Sequence, residues 1–197
     1  GMESGYDAVW ASGLELSCSQ GVPDAGVLTM TEMARATHLT ARSVRIPVVS
    51  DCDCGFGDID GVIRTVKRFE AAGAAAVSIA DTPFTKINSL VETGHKLAEI
   101  GEFCAKIRAA KAAQNSPDFM VVARIEALIA GFGEAEALRR AEAYSTAGAD
   151  AILIHSKRPS ALAMPNARSH ARSWNGTGTR TRRRRPRPAS TGCSSRT

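Results

Sequence analysis

No apolar run in this 197-residue chain approaches the roughly 20 residues that a membrane-spanning helix needs. No secretory signal is visible either, so a soluble, cytoplasmic protein with no membrane partner is expected. The five cysteines, Cys18, Cys52, Cys54, Cys104 and Cys193, lack a disulfide-framework spacing, and the Cys-x-Cys pair with its interleaved aspartates is too cramped for a zinc ribbon. Ordinary reduced thiols are expected. Acidic residues are missing from Lys157 to the last residue, where ten arginines and one lysine stand. The first 156 residues hold 14 basic against 20 acidic groups, so the formal charge of +5 belongs to that tail. Its run Arg180-Thr181-Arg182-Arg183-Arg184-Arg185-Pro186-Arg187-Pro188 has no hydrophobic period and is expected to be disordered. An arginine-rich arm binds nucleic acid electrostatically. Nothing before the tail supports such a surface, however: no basic patch is present, and aromatics make up only 5% of the chain. Nucleic acid is therefore not the expected partner, and the abrupt composition change at Arg158 is read as a reading-frame shift or a truncated gene. The chain divides into one folded unit, 1–158, and an arginine-rich tail, 159–197. A hydrophobic fraction of 44% is enough to build a core at this length.

What stands out is Val48-Val49-Ser50-Asp51-Cys52-Asp53-Cys54-Gly55-Phe56-Gly57, a short apolar run that delivers two carboxylates into a glycine-rich turn. Residues two apart on a strand end point the same way, so Asp51 and Asp53 can approach one Mg²⁺ or Mn²⁺, directly or through its waters. A strand followed by a solvated acidic turn fits the same ten residues equally well, and the context decides. Apolar runs at Ala8 to Ala11, Val44 to Val49, Ala75 to Ile79, Phe119 to Ala123 and Ala151 to Ile154 read as buried parallel strands. Each is followed at once by polar residues: Ser12; Asp51 and Asp53; Asp81; Arg124 and Glu126; His155 and Ser156. Helical spacing runs over Ile59 to Ala72, Leu97 to Ala113 and Glu134 to Thr146, and glycines just before three of the strands look like helix C-caps. Strands alternating with such helices make a parallel sheet with right-handed crossovers, whose chemistry sits at the carboxyl ends of the strands. The polar groups are therefore expected to converge on one rim. Singly they have plainer readings: His155 as a hydrogen-bonded structural residue, Arg124 with Glu126 as an ion pair, Ser12-Gly13 as a turn.

Six segments occur in order over residues 6–158: Trp10-Ala11-Ser12-Gly13-Leu14-Glu15-Leu16-Ser17, Val22-Pro23-Asp24, Asp51 to Gly57, Lys86-Ile87-Asn88-Ser89-Leu90, Val122-Ala123-Arg124-Ile125-Glu126-Ala127 and Ile154-His155-Ser156-Lys157. Together they resemble the phosphoenolpyruvate mutase branch of the isocitrate lyase superfamily. The resemblance implies an α/β fold of the (β/α)8 TIM-barrel type. About five to six β/α units are expected here, the first strand being absent and the last two units replaced by the tail. Five strands cannot close such a barrel, so open edges are expected. The resemblance further implies a Mg²⁺-dependent isomerase (Mn²⁺ being possible) that interconverts phosphoenolpyruvate and phosphonopyruvate in phosphonate biosynthesis, and a homo-oligomer among full-length relatives. By position, Asp51 would ligate the metal, with Asp24 and Asp53 holding its waters. Ser12 and the N–H groups of Gly13 and Leu14 would hold the carboxylate and phosphoryl ends of the substrate, and Arg124 and His155 its phosphoryl oxygens. Lys86 and Asn88 would sit on a gating loop. Asn88 separates relatives, because phosphonopyruvate hydrolases carry threonine there and the lyases carry a Lys-Lys-Cys-Gly-His loop that this chain lacks. A mutase is thus preferred, with a hydrolase or a catalytically inactive truncated member as alternatives. One departure stands out: Ala80-Asp81-Thr82 replaces Glu-Asp-Lys, removing a carboxylate from the metal's surroundings.

Overall fold

The computed structural model describes residues 5–84, 86–92 and 94–157, and the expectation of a disordered arginine-rich tail lies outside them. Five strands, β1 (Val9–Ala11), β2 (Val48–Asp51), β3 (Ala76–Ala80), β4 (Met120–Ile125) and β5 (Ala151–Ile154), form one sheet in the order β1-β2-β3-β4-β5. All pairings are parallel. The spatial order never reverses, so the sheet has no switch point of the doubly wound kind; sequential order is what a barrel wall requires. Five helices accompany the strands: α1 (Gly13–Ser19), α2 (Met30–Ser43), α3 (Ile59–Ala71), α4 (Ile100–Ala113) and α5 (Gly133–Thr146). Among the described residues β1 and β5 are the open edges of an incomplete barrel, as anticipated. No described helix is long and apolar enough to cross a membrane.

Local chemistry explains where these elements begin and end. β2 starts at Val48 rather than Val44 because Pro47 has no N–H to give a ladder; its carbonyl instead accepts from Val9 N at 2.8 Å. α4 starts at Ile100 rather than Leu97 because Glu99 is extended (φ −62°, ψ 138°) and stands as its N-cap, while Ala98 N–H donates to the Asp81 carbonyl at 2.8 Å. Gly73 and Gly148 end α3 and α5 with positive φ (92° and 104°), and the next residues donate back to Phe69 and Tyr144. α1 and α2 were not anticipated from periodicity. The sign for α2 was Thr29-x-x-Glu32, which closes a reciprocal capping box: Glu32 N–H donates to Thr29 Oγ1, and Thr29 N–H to Glu32 Oε2.

The strand period of two sorts side chains between two faces. Val77, Ile79, Val121, Ala123, Ile125 and Ile152 point to the helices and bury with Val62, Val66, Phe69, Phe103, Ile107 and Tyr144 in the main core. Each fully buried side chain of this size contributes about 1.5–3 kcal/mol. The other face is smaller: Ala76, Val122, Ala151 and Leu153 pack with Trp10, Val49 and Met120. The polar residues that follow β1, β2, β4 and β5 at the same parity extend this second set.

Candidate active site

Continuing the inward parity past the strand ends places Ser12 after Trp10, Asp51 and Asp53 after Val49, Arg124 and Glu126 after Val122, and His155 after Leu153. These residues line one cavity of about 440 Å³ together with Leu14, Asp24, Lys86 and Asn88. Gly13 lies against it: a Cβ there would stand 3.2 Å from Lys86 Nζ and 3.7 Å from both Asp24 Oδ1 and Asp51 Oδ2. The ten residues to which the resemblance gave roles are thus brought together. Ser12 caps α1 by accepting from Glu15 N–H at 3.4 Å, which fixes the turn that carries Gly13 and Leu14.

Charge pairing organises the cavity. Lys86 Nζ bonds Asp24 Oδ1 and lies 2.7 Å from Asp53 Oδ1, while Asn88 Nδ2 donates to Asp24 Oδ2 at 2.7 Å. Arg124 Nη1 donates to Asp51 Oδ1 at 2.7 Å, and its Nε lies 2.8 Å from Glu126 Oε1. Glu126 in turn takes His155 Nδ1 at 2.8 Å. Two close approaches are ion pairs without directed hydrogen bonds, leaving Asp53 Oδ1 and Arg124 Nε buried and unsatisfied. Burial pushes the Asp51 carboxyl up, but Arg124 and Lys86 outweigh it and hold Asp51 below the usual carboxylate range. Asp53 goes the other way, raised by burial and by the Asp51 charge against the pull of Lys86. Glu126 stays low because the hydrogen bond from His155 and the charge of Arg124 exceed its burial penalty.

Two findings depart from the expected rim. Asp81 does not join it. Its parity is that of Val77 and Ile79, so it turns outward, fully buried, accepting from Glu126 N–H (2.8 Å), Arg140 Nη1 (2.9 Å) and Tyr144 OH (2.8 Å). The inward place at the end of β3 belongs to buried Ala80. Glu126, conversely, is more than a partner for Arg124: it orients His155 as well. Its position two residues after Arg124 was the available sign.

The acidic side chains suit a hard cation, since every donor is a carboxylate oxygen and one of them is a buried orphan. Among the described residues no three His, Cys, Asp or Glu side chains stand together as a finished metal cluster. The Lys86 ammonium is the cation on which Asp24 and Asp53 close.

A sequentially ordered parallel sheet with acidic and basic side chains at its carboxyl rim is the arrangement of a β/α barrel of the isocitrate lyase type. Within that class, the phosphoenolpyruvate phosphomutase family model matches residues 2–171, and the chain belongs to this family. It is similar to the crystal structure of a phosphoenolpyruvate phosphomutase from Streptomyces platensis subsp. rosaceus, with a TM-score of 0.77 and 56% identity over 79% of this chain and 54% of that one. A phosphonopyruvate hydrolase from Variovorax sp. (strain Pal2) is 48% identical over 157 residues, 79% of this chain and 54% of that protein. A phosphonopyruvate hydrolase solved with oxalate and Mg²⁺ has a TM-score of 0.73 at 46% identity, covering 80% of this chain and 53% of that one. The chain spans about half the length of these relatives.

Proposed function

We propose that this chain carries the substrate- and metal-binding rim of a phosphoenolpyruvate phosphomutase, an isomerase that interconverts phosphoenolpyruvate and phosphonopyruvate. The observation that carries the reading is a single cavity in which Asp24, Asp51 and Asp53 face Arg124 and His155. Asp51 would hold Mg²⁺ directly, with Asp24 and Asp53 binding its waters. When bound, the ion supplies positive charge to the pyruvyl carboxylate and carbonyl oxygens, stabilising enolate charge.

The protein's own groups do the rest. Ser12 and the N–H groups of Gly13 and Leu14 hold the carboxylate and phosphoryl ends. Arg124, forked between Asp51 and Glu126, is locked in orientation before substrate arrives and offers its remaining N–H groups to phosphoryl oxygens. His155 spends Nδ1 on Glu126, leaving Nε2 for the same phosphoryl group. In phosphonopyruvate the C–P bond breaks, its electron pair becomes the enolate, and the phosphoryl group forms a new bond to the enolate oxygen. Such loose transfer needs positioning and charge stabilisation rather than a nucleophile. Lys86 and Asn88 reach Asp24 from the segment between β3 and α4, where they would help to exclude water from the enolate. The same reading carries a cytoplasmic location and a homo-oligomeric state.

The hydrolase is kept as the second reading because a hydrolase is 48% identical. Asn88 argues against it. Its amide is fixed at both ends, Nδ2 on Asp24 and Oδ1 on Leu90 N–H (2.8 Å). Phosphorus NMR of the purified protein with phosphonopyruvate and Mg²⁺ tests the reading. Phosphoenolpyruvate is the expected product; free phosphate would indicate the hydrolase, and an unchanged spectrum would mean that this chain does not turn over. Asn88→Thr should shift the products toward pyruvate and phosphate, and an unchanged ratio would refute the role given to Asn88.

A further inference from the structure

Lys106 is the one buried lysine of the described core, 5% exposed, and its partners there are backbone carbonyls. It occupies the apolar stripe of α4 between Phe103 and Ile107, where a leucine or methionine would pack without desolvating a charge. Its ammonium instead donates to two backbone carbonyls of the turn after β2, Gly57 O at 2.7 Å and Cys54 O at 3.4 Å.

That turn is strained. Asp53 and Phe56 have φ of 47° and 56°, the left-handed region that residues with side chains avoid, and Gly55 and Gly57 are also positive. Three carbonyls of the turn have other donors. Asp53 O accepts from Ala80 N, Cys52 O from Gly55 N, and Gly55 O from Thr65 Oγ1. Cys54 O and Gly57 O accept from Lys106 Nζ. Without its donor the Cys54 and Gly57 carbonyls lose this partner, and the turn would relax toward negative φ, rotating Asp53 away from the cavity.

We propose that Lys106 is a positioning residue: from the helix layer behind the sheet it pins the Asp53–Gly57 turn, and so sets the affinity of the acidic rim for a divalent cation. The inference rests on the reading of that rim as a Mg²⁺ site. It acts through Asp53 and needs no contact with substrate.

The test is a Mn²⁺ titration of the full chain followed by electron paramagnetic resonance, comparing wild type, Lys106→Met, Asp53→Asn and the double variant, with a thermal melt of each. Lys106→Met should weaken Mn²⁺ binding about tenfold, the lower end of what loss of a supporting partner costs a metal site, while the melt stays cooperative. The double variant should bind no more weakly than Asp53→Asn alone, because both changes remove the same contribution. An affinity of Lys106→Met within twofold of wild type, or losses that multiply in the double variant, would overturn the proposal. Failure of wild type itself to bind Mn²⁺ would instead overturn the metal reading, and this inference with it. Should Lys106→Met melt without cooperativity, Lys106→Gln, whose amide is one atom shorter and cannot span both carbonyls, carries the comparison with a smaller loss, and an affinity equal to that of wild type would overturn the proposal.

Discussion

Two clusters of carboxylates and arginines lie back to back on this sheet, one at the inner rim and one against the helices, and they differ in how completely their polar atoms are satisfied. Behind the sheet, Asp81 receives three directed hydrogen bonds, Arg140 also bonds Glu136 and the Ala98 carbonyl, and the Phe103 and Tyr144 rings pack edge to face at 4.6 Å. On the inner face the same residue types surround a cavity, and a carboxylate oxygen and a guanidinium nitrogen are buried without a hydrogen bond. A finished network has nothing left to offer a ligand; an unfinished one around a void does. The contrast extends to protons. Arg124 and its neighbours hold Asp51 and Glu126 low, whereas burial pushes the Asp81 carboxyl up to about 6 despite its donors.

If the rim is the functional side, Asp51→Asn has the largest effect. Turnover should fall below detection, and the upward shift of the melting temperature produced by Mg²⁺ with oxalate should vanish. A retained shift would break the comparison. Next comes Arg140→Met on the other side, which leaves Asp81 facing an apolar partner. Removing one member of a buried pair costs about 3–5 kcal/mol, read in urea unfolding, with the Mg²⁺ and oxalate shift preserved. A loss below about 1 kcal/mol would mean that the rear cluster is not what holds α5 to the sheet.

The smallest effect is a pH dependence with opposite signs on the two sides. Asp81 binds its proton more tightly in the fold than the ordinary carboxyl at 3.8, so it lowers stability as pH rises from about 3.8 to about 6 and changes nothing further above that. The span corresponds to roughly 3 kcal/mol. Asp51 and Glu126, depressed in the fold, contribute stability present above their unfolded range and lost as pH falls through their folded values. Urea unfolding of wild type and Asp81→Asn between pH 4 and 7 separates these contributions. The variant should be the more stabilised by rising pH, and parallel curves would remove the assignment.

The strands were legible because parallel strands buried on both faces are continuous apolar runs, and the inner-face residues followed because side chains two apart share a face. The same rule, applied strictly, assigns Asp81 to the helix side with Val77 and Ile79; treating every polar residue after a strand as part of one rim obscured it. α2 was legible only through its capping box, since its sequence carries no long apolar stripe. Lys106 was visible as a lysine inside the stripe of α4, though nothing in the sequence says which carbonyls it meets.

The chain's order of residues by itself determined the alternation of strand and helix, the acidic turn after β2 and the family to which they belong, because these depend on periods and spacings within a few residues. Only the tertiary structure decided that Lys86 closes on Asp24 and Asp53, that Arg124 is shared between Asp51 and Glu126, and that Asp81 is turned away from them. Those pairings join residues as much as 73 positions apart, and their partners are selected by sheet register and helix packing rather than by any local preference.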